Sequence, residues 1–229
     1  MSSLKSAFTK DKTFIPFLTC GDPDLGATAG LIREAVQNGA GIIQLGIPFS
    51  DPTAEGPVVQ EANIRALAAG VTTDKVFEFV KELRSDVKIP IVFMTYANVV
   101  FSYGAERFFA GCKEAVVDGI IIPVLPFEEK EEFHPLCKQY GVDLISMVAP
   151  ASKERIAMIA KEAEGFLYLV NASAGEQKGV ISDTNVIFEI IRENTDIPCA
   201  VELGNATPEQ VERFSAIADG VIVRGIFRK

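Results

Sequence analysis

The chain has 229 residues, 48% of them hydrophobic and 23% charged, with 22 basic against 31 acidic side chains and a formal charge of −9. That balance is too apolar for a disordered chain, and without a basic run it argues against a nucleic-acid surface. No apolar run approaches the roughly 18 residues of a membrane span, and the N-terminus lacks the apolar core of about 7–15 residues of an export signal, so a cytoplasmic protein is expected.

Short apolar runs alternate with longer stretches of helical spacing. FIPFLT (14–19) predicts a strand, and Leu25 to Asn38 a helix with Leu31, Ala35 and Val36 on one face. GIIQLG (41–46) is the second strand. The loop IPFSDPTAEGP (47–57) carries three prolines and leads into helical stretches at 58–69 and 74–85. IPIVFMTY (89–96) is the third strand, with the next helix from Gly104 to Val116. DGIIIPV (118–124) is the fourth, and the helix after it opens in the acidic run EEKEE.

VDLISMVAP (142–150) is the fifth strand. Ser152 suits the N-cap of the next helix, with Glu154 in its first turn, where the helix dipole favours an anion. GFLYLV (165–170) is the sixth strand, followed by the polar loop NASAGEQKGVIS (171–182). Asp183 can cap the helix TNVIFEIIREN. IPCAVELG (197–204) is the seventh strand. Thr207, Pro208 and Gln210 form a capping-box-like start to the following helix. DGVIV (219–223) is the eighth strand, and the sequence stops after RGIFRK.

Most of these strands are continuous apolar runs, the pattern of strands buried on both faces of a parallel sheet. The first strand ends in TCGDPD, without the GxGxxG of an open dinucleotide-binding sheet. The expected fold is therefore α/β, a single (β/α)8 TIM barrel over residues 1–229, lacking the last helix after strand eight. Either the N-terminal segment covers the seam that this helix would cover, or an apolar patch is left there. The four cysteines, 20, 112, 137 and 199, form no CxxC pair and read as packed, reduced thiols. His134, the one histidine, lies in a polar stretch and reads as a solvated surface residue. It leaves no basis for a zinc site or a Ser-His-Asp triad.

In such a barrel the chemistry sits at the C-terminal ends of the strands, with phosphate usually held after strands seven and eight. Gly204 and Gly225 fall in those two loops, where absent side chains let an anion approach the backbone. The loop after strand two is longer than a connection needs. It carries Asp51 and Glu55, carboxylates placed to act as acid, base or N–H acceptor.

The segments 41–72, 90–108, 118–129 and 219–223, with IPFSDP followed by P-x-x-Q-x-A-x-x-R-A-L, strongly resemble the tryptophan synthase alpha subunit; the likeness runs from about Phe14 to the last residue. The resemblance implies a TIM barrel that cleaves indole-3-glycerol phosphate to indole and glyceraldehyde 3-phosphate by a retro-aldol reaction. It implies no metal and no cofactor of its own; pyridoxal phosphate would belong to a beta-subunit partner that receives the indole. Asp51, Pro52, Tyr96, Asn98 and Tyr168 match the family pattern. Its catalytic positions fall on Gln44, Glu55 and Tyr168, and its substrate-binding positions on Tyr96, Asp51 and Val124. Its phosphate-binding positions fall on Gly204, Asn205, Arg224, Gly225 and Gln177.

Several of these depart from the family. Gln44 stands where the family has its catalytic glutamate, and Glu55 where it has its catalytic aspartate. Val124 replaces the aspartate of D-L-P. Glu176 and Gln177 fall where the family has a threonine and a glycine, and Arg224–Gly225 where it has Gly-Ser. Cleavage needs a proton delivered to indole C3 and another taken from the glycerol hydroxyl, and an amide shuttles neither. General acid–base catalysis contributes typically 10²–10⁴-fold, on the order of 3–5 kcal/mol of barrier. Family activity is therefore expected to be impaired. Glu176 adds negative charge near a phosphate, and Arg224 supplies a compensating cation. Two alternatives stay open: a non-catalytic barrel that docks on a beta-type partner, and a barrel repurposed for another phosphorylated small molecule.

Overall fold

The computed structural model describes residues 3–8, 12–170, 183–204 and 207–224. Within them, parallel strands joined by helical crossovers form one sheet in the order β5-β4-β3-β2-β1-β9-β8-β7-β6. The strands are β1 (Thr13–Thr19), β2 (Ile43–Gly46), β3 (Ile91–Met94), β4 (Gly119–Ile121), β5 (Asp143–Leu144), β6 (Met147–Val148), β7 (Leu167–Leu169), β8 (Cys199–Leu203) and β9 (Gly220–Arg224). The fifth expected strand is present in two halves. β5 pairs only with β4 and β6 only with β7. Between them Ile145 N–H donates to Ile120 C=O (2.9 Å) and Tyr168 N–H to Ser146 C=O (3.0 Å). The strand thus hands over from one neighbour to the other at Ile145–Ser146, and the sheet closes as an eight-stranded barrel.

The helices are α1 (Ser3–Ala7), α2 (Leu25–Gln37), α3 (Pro57–Ala68), α4 (Thr73–Leu83), α5 (Ala97–Tyr103), α6 (Ala105–Glu114), α7 (His134–Tyr140), α8 (Lys153–Lys161), α9 (Thr184–Asn194) and α10 (Pro208–Ser215). The expected caps form: Ser152, Asp183 and Thr207 accept backbone N–H groups of α8, α9 and α10, and Gln210 completes the capping box. α5 has no counterpart in the sequence reading, because its NVVFSY stretch is rich in β-branched and aromatic residues. Gly104, at φ +92°, separates it from α6. The acidic run forms a 3-10 turn over Phe127–Glu132 rather than a helix start. Four glutamates in one turn repel, and the α-helix begins only at His134.

Apolar side chains fill two spaces: between the strands and the helices, and inside the barrel. All four cysteines are buried and unpaired in the outer layer, as expected. His134 is not a solvated surface residue. Its ring is 19% exposed and lies 3.1 Å from Glu164 Oε1. Among the described residues of the N-terminal segment, the packing is with the barrel interior. α1 lies under the barrel floor, with Leu4 fully buried among the interior residues. A Cβ on Gly119 would sit 2.8 Å from the Leu4 side chain, and one on Gly220 would sit 2.9 Å from both Phe8 and the Thr13 backbone oxygen, so glycine at these strand starts lets the plug pack closely against the floor. Residues 225–229, where a final helix would begin, lie outside the described residues.

The two Asp-Gly dipeptides at the bottom act as clamps. Asp118 accepts from Ile91 N–H (2.9 Å) and from Arg84 Nη2 (2.6 Å), and Asp219 accepts from Cys199 N–H (2.7 Å) and from Arg192. The Arg84–Asp118 pair is largely buried, whereas Arg192–Asp219 is about one-third exposed. Asp118→Ala is therefore expected to lower stability by about 3 kcal/mol, and Asp219→Ala by about 1–2 kcal/mol. Urea unfolding of the two variants checks both the size and the order.

Candidate active site

Strand register decides which side chains meet at the barrel mouth. In parallel pairs, register partners face the same side. Phe17 pairs with Gln44 on β2 and with Arg224 on β9. Phe17 belongs to the interior cluster, so Gln44 and Arg224 also point inward beside it. Glu202 pairs with the interior Ile222, and Tyr168 with the interior Ala200. Met94 ends β3 in the same cluster. The top interior layer thus combines Phe17, Gln44, Met94, Tyr168, Glu202 and Arg224.

Arg224 organises this layer. Its guanidinium bonds Glu55 through Nη1, lies 2.8 Å from Glu202 Oε1 through Nε, and donates from Nη2 to Tyr168 Oη at 2.9 Å. The Nε contact is an ion pair without hydrogen-bond alignment. The guanidinium carbon also lies 4.8 Å from the centre of the Phe17 ring. The side chains are nearly buried: Glu55 is 4% exposed, Arg224 12% and Glu202 18%. Burial pushes the Glu55 carboxyl above its usual range; Arg224 pulls it back and Glu202 adds to the rise. Burial likewise raises the Tyr168 phenol.

Gln44 is fully buried. Its Nε2 donates to Met94 Sδ at 2.9 Å, and Arg224 Nη2 approaches the same sulfur at 3.5 Å. Its Oε1 has no hydrogen-bond partner among the described residues. At neutral pH an amide at this position offers no exchangeable carboxyl proton.

The long loop after β2 brings Glu55 into the mouth. Phe49 N–H donates to Asn63 Oδ1 (2.8 Å), Ala54 N–H to Tyr96 Oη (2.9 Å), and Gln60 Nε2 to Glu55 C=O (2.8 Å). The Phe49 and Tyr96 rings pack at 5.2 Å. These bonds fix the backbone around Glu55, while Asp51 and Asn98 face solvent. Tyr96 is half-buried, and burial raises its phenol.

Of the expected site residues, Gln44, Glu55, Tyr168 and Arg224 therefore converge, and Tyr96 supports them through Ala54. Asp51 does not join the cluster. Val124 is 71% exposed, with φ +63°, in the loop after β4. Gly204 is exposed at the end of β8. Gln177, Asn205 and Gly225, together with Glu176, lie outside the described residues. Glu202 is the residue that reading in chain order passes over. Its signal is a lone carboxylate in the apolar strand CAVEL, two positions from Ala200 and so on the same inward face.

Residues 3–226 match the family model for the tryptophan synthase alpha chain. The tryptophan synthase alpha chain of Lacticaseibacillus casei is 42% identical over 225 residues, covering 97% of this chain and 85% of that relative. The alpha chain of Legionella pneumophila superposes with a TM-score of 0.86 at 33% identity, covering 98% and 85%. Tryptophan synthase from M. tuberculosis, in a ligand-free form, gives 0.87 at 29% identity, covering 98% and 89%. The chain belongs to the tryptophan synthase alpha chain family.

Proposed function

We propose that this chain is an alpha-type barrel in which the family's retro-aldol cleavage of indole-3-glycerol phosphate is impaired. The observation that carries the reading is Gln44, fully buried at the inward end of β2 and bonded to a thioether. The family's principal proton carrier is an amide here. Glu55 keeps a carboxyl in the mouth, but it is engaged by Arg224, and a group displaced by about 1 Å can lose 10²-fold. The purified chain is expected to release indole from indole-3-glycerol phosphate at a small fraction of the rate of an ordinary family member. Robust indole release would sink this reading.

A second reading, docking on a beta-subunit-type partner, draws on the exposed Asp51 and Asn98 in loops that match the family pattern. Such a partner would carry the pyridoxal phosphate and receive any indole. Co-purification with a tryptophan synthase beta subunit tests it. Among the described residues no helix is long and apolar enough to cross a membrane. From membership of a biosynthetic family we infer a cytoplasmic protein.

A further inference from the structure

We propose that Arg224 is an internal plug: its side chain crosses the barrel axis and closes the mouth against any molecule that would react at position 44. Arg224 then decides, by exclusion, what the barrel admits. The inference rests on the reading that the family's site lies at this mouth. It gives the impairment a second, steric cause, independent of the amide at position 44.

Three observations carry it. The first is reach. In the sheet order, β3 stands three strands from β9 on one side, and β7 two strands away on the other. Arg224 is rooted on β9, and its Nη2 touches both Met94 Sδ on β3 (3.5 Å) and Tyr168 Oη on β7 (2.9 Å). A side chain that meets both walls lies across the axis, in the space an entering molecule would need.

The second is fixation. The guanidinium is also held by Glu202 on β8, by the Phe17 ring on β1 and by Glu55 from the loop after β2. Tyr168 is engaged by Glu202 as well. Swinging the guanidinium out would strand two carboxylates that are 4% and 18% exposed, a change that buried charge pairs resist strongly. The third is what lies beside the plug. Gln44 is fully buried, and its Nε2 donates to the same Met94 sulfur that Arg224 reaches. Position 44 is thus sealed within the layer that the guanidinium completes.

Thiol labelling of Gln44→Cys in the full chain, with iodoacetamide as the probe, tests the plug without any ligand. The four native cysteines are buried and serve as an internal control, since they react only where the chain opens. Two backgrounds carry Glu55→Gln and Glu202→Gln, so that no charge is stranded; one adds Arg224→Ala and the other Arg224→Met. The two have the same charge and differ in the space left on the axis, so the difference between them reads space alone. The introduced thiol is expected to stay protected in the otherwise unaltered chain and in the Arg224→Met background. In the Arg224→Ala background it should react at least about 10²-fold faster, with the native cysteines still protected.

The proposal is overturned if the introduced thiol reacts rapidly in the otherwise unaltered chain while the native cysteines do not, or if the Ala and Met backgrounds react at the same rate. Should the backgrounds unfold, as labelling of the native cysteines would report, the otherwise unaltered Gln44→Cys chain decides: protection supports the plug and rapid reaction overturns it. Rapid reaction there, with negligible indole release by the unaltered protein, would overturn the plug and leave the impaired-lyase reading standing. A protected thiol, with robust indole release by the unaltered protein, would do the reverse.

Discussion

Gln44→Glu is expected to raise indole release from indole-3-glycerol phosphate by about 10²-fold, the lower end of what a positioned acid–base group contributes. The two side chains are nearly the same size, so the fully buried site accepts the change without a cavity or a clash. Burial and the carboxylates Glu55 and Glu202 would raise the new carboxyl's pKa, and the Arg224 guanidinium, which reaches the same Met94 sulfur, would pull it back. A carboxyl held protonated near neutral pH is the form that can deliver a proton to indole C3. Adding Glu55→Asp shortens the second carboxyl by one methylene and is expected to increase the rate again. Steady-state indole release by the single and double variants checks both. No rise in either would mean that the lesion lies in substrate recognition, and that the Glu202–Arg224 pair must be removed before chemistry can return.

Arg224→Met should cost about 3–5 kcal/mol of folding stability, the range for breaking a buried charge pair by removing one partner. The substitution strands Glu55, only 4% exposed, and Glu202 beside it. The loss should depend on pH in a defined direction. In the intact chain the folded Glu55 pKa already lies above its ordinary value, mainly through burial. Without Arg224 that rise is unopposed. A group whose folded pKa exceeds its unfolded pKa takes up a proton on folding, so stability is gained as pH falls and lost as pH rises through the folded value. Arg224→Met should therefore cost less at pH 5 than at pH 8. Adding Glu55→Gln should recover part of the loss and flatten the pH dependence. Urea unfolding at the two pH values decides; an equal loss at both would remove Glu55 as the cause.

Glu55, Arg224 and Glu202 form one nearly buried charge cluster in the mouth. Binding energy in a barrel mouth comes from preorganised groups, and here those groups are largely committed to one another.

Much of the fold is legible along the chain. Apolar runs, Asp-Gly turns and N-caps are local signals, and the strands and caps they announce are present. Gln44 and Glu55 are legible as altered positions because IPFSDP holds their register. The misreadings have local causes. α5 is short and β-branched, and the acidic run cannot wind into a regular helix. The split of the fifth strand depends on which neighbour each half finds, and the Glu164 that meets the His134 ring lies 30 residues away in sequence.

The sequence by itself determined the barrel, its succession of strands and helices, and a glutamine at position 44 where the resemblance implies a carboxylate. Only the tertiary structure decided that Arg224 faces Glu55, 169 residues away, and that Glu202 joins them. The physical reason is range. Hydrophobic period and capping act over a few residues, whereas a buried ion pair is chosen by barrel closure and register, which set β9 against β1 and turn every second side chain of each strand inward.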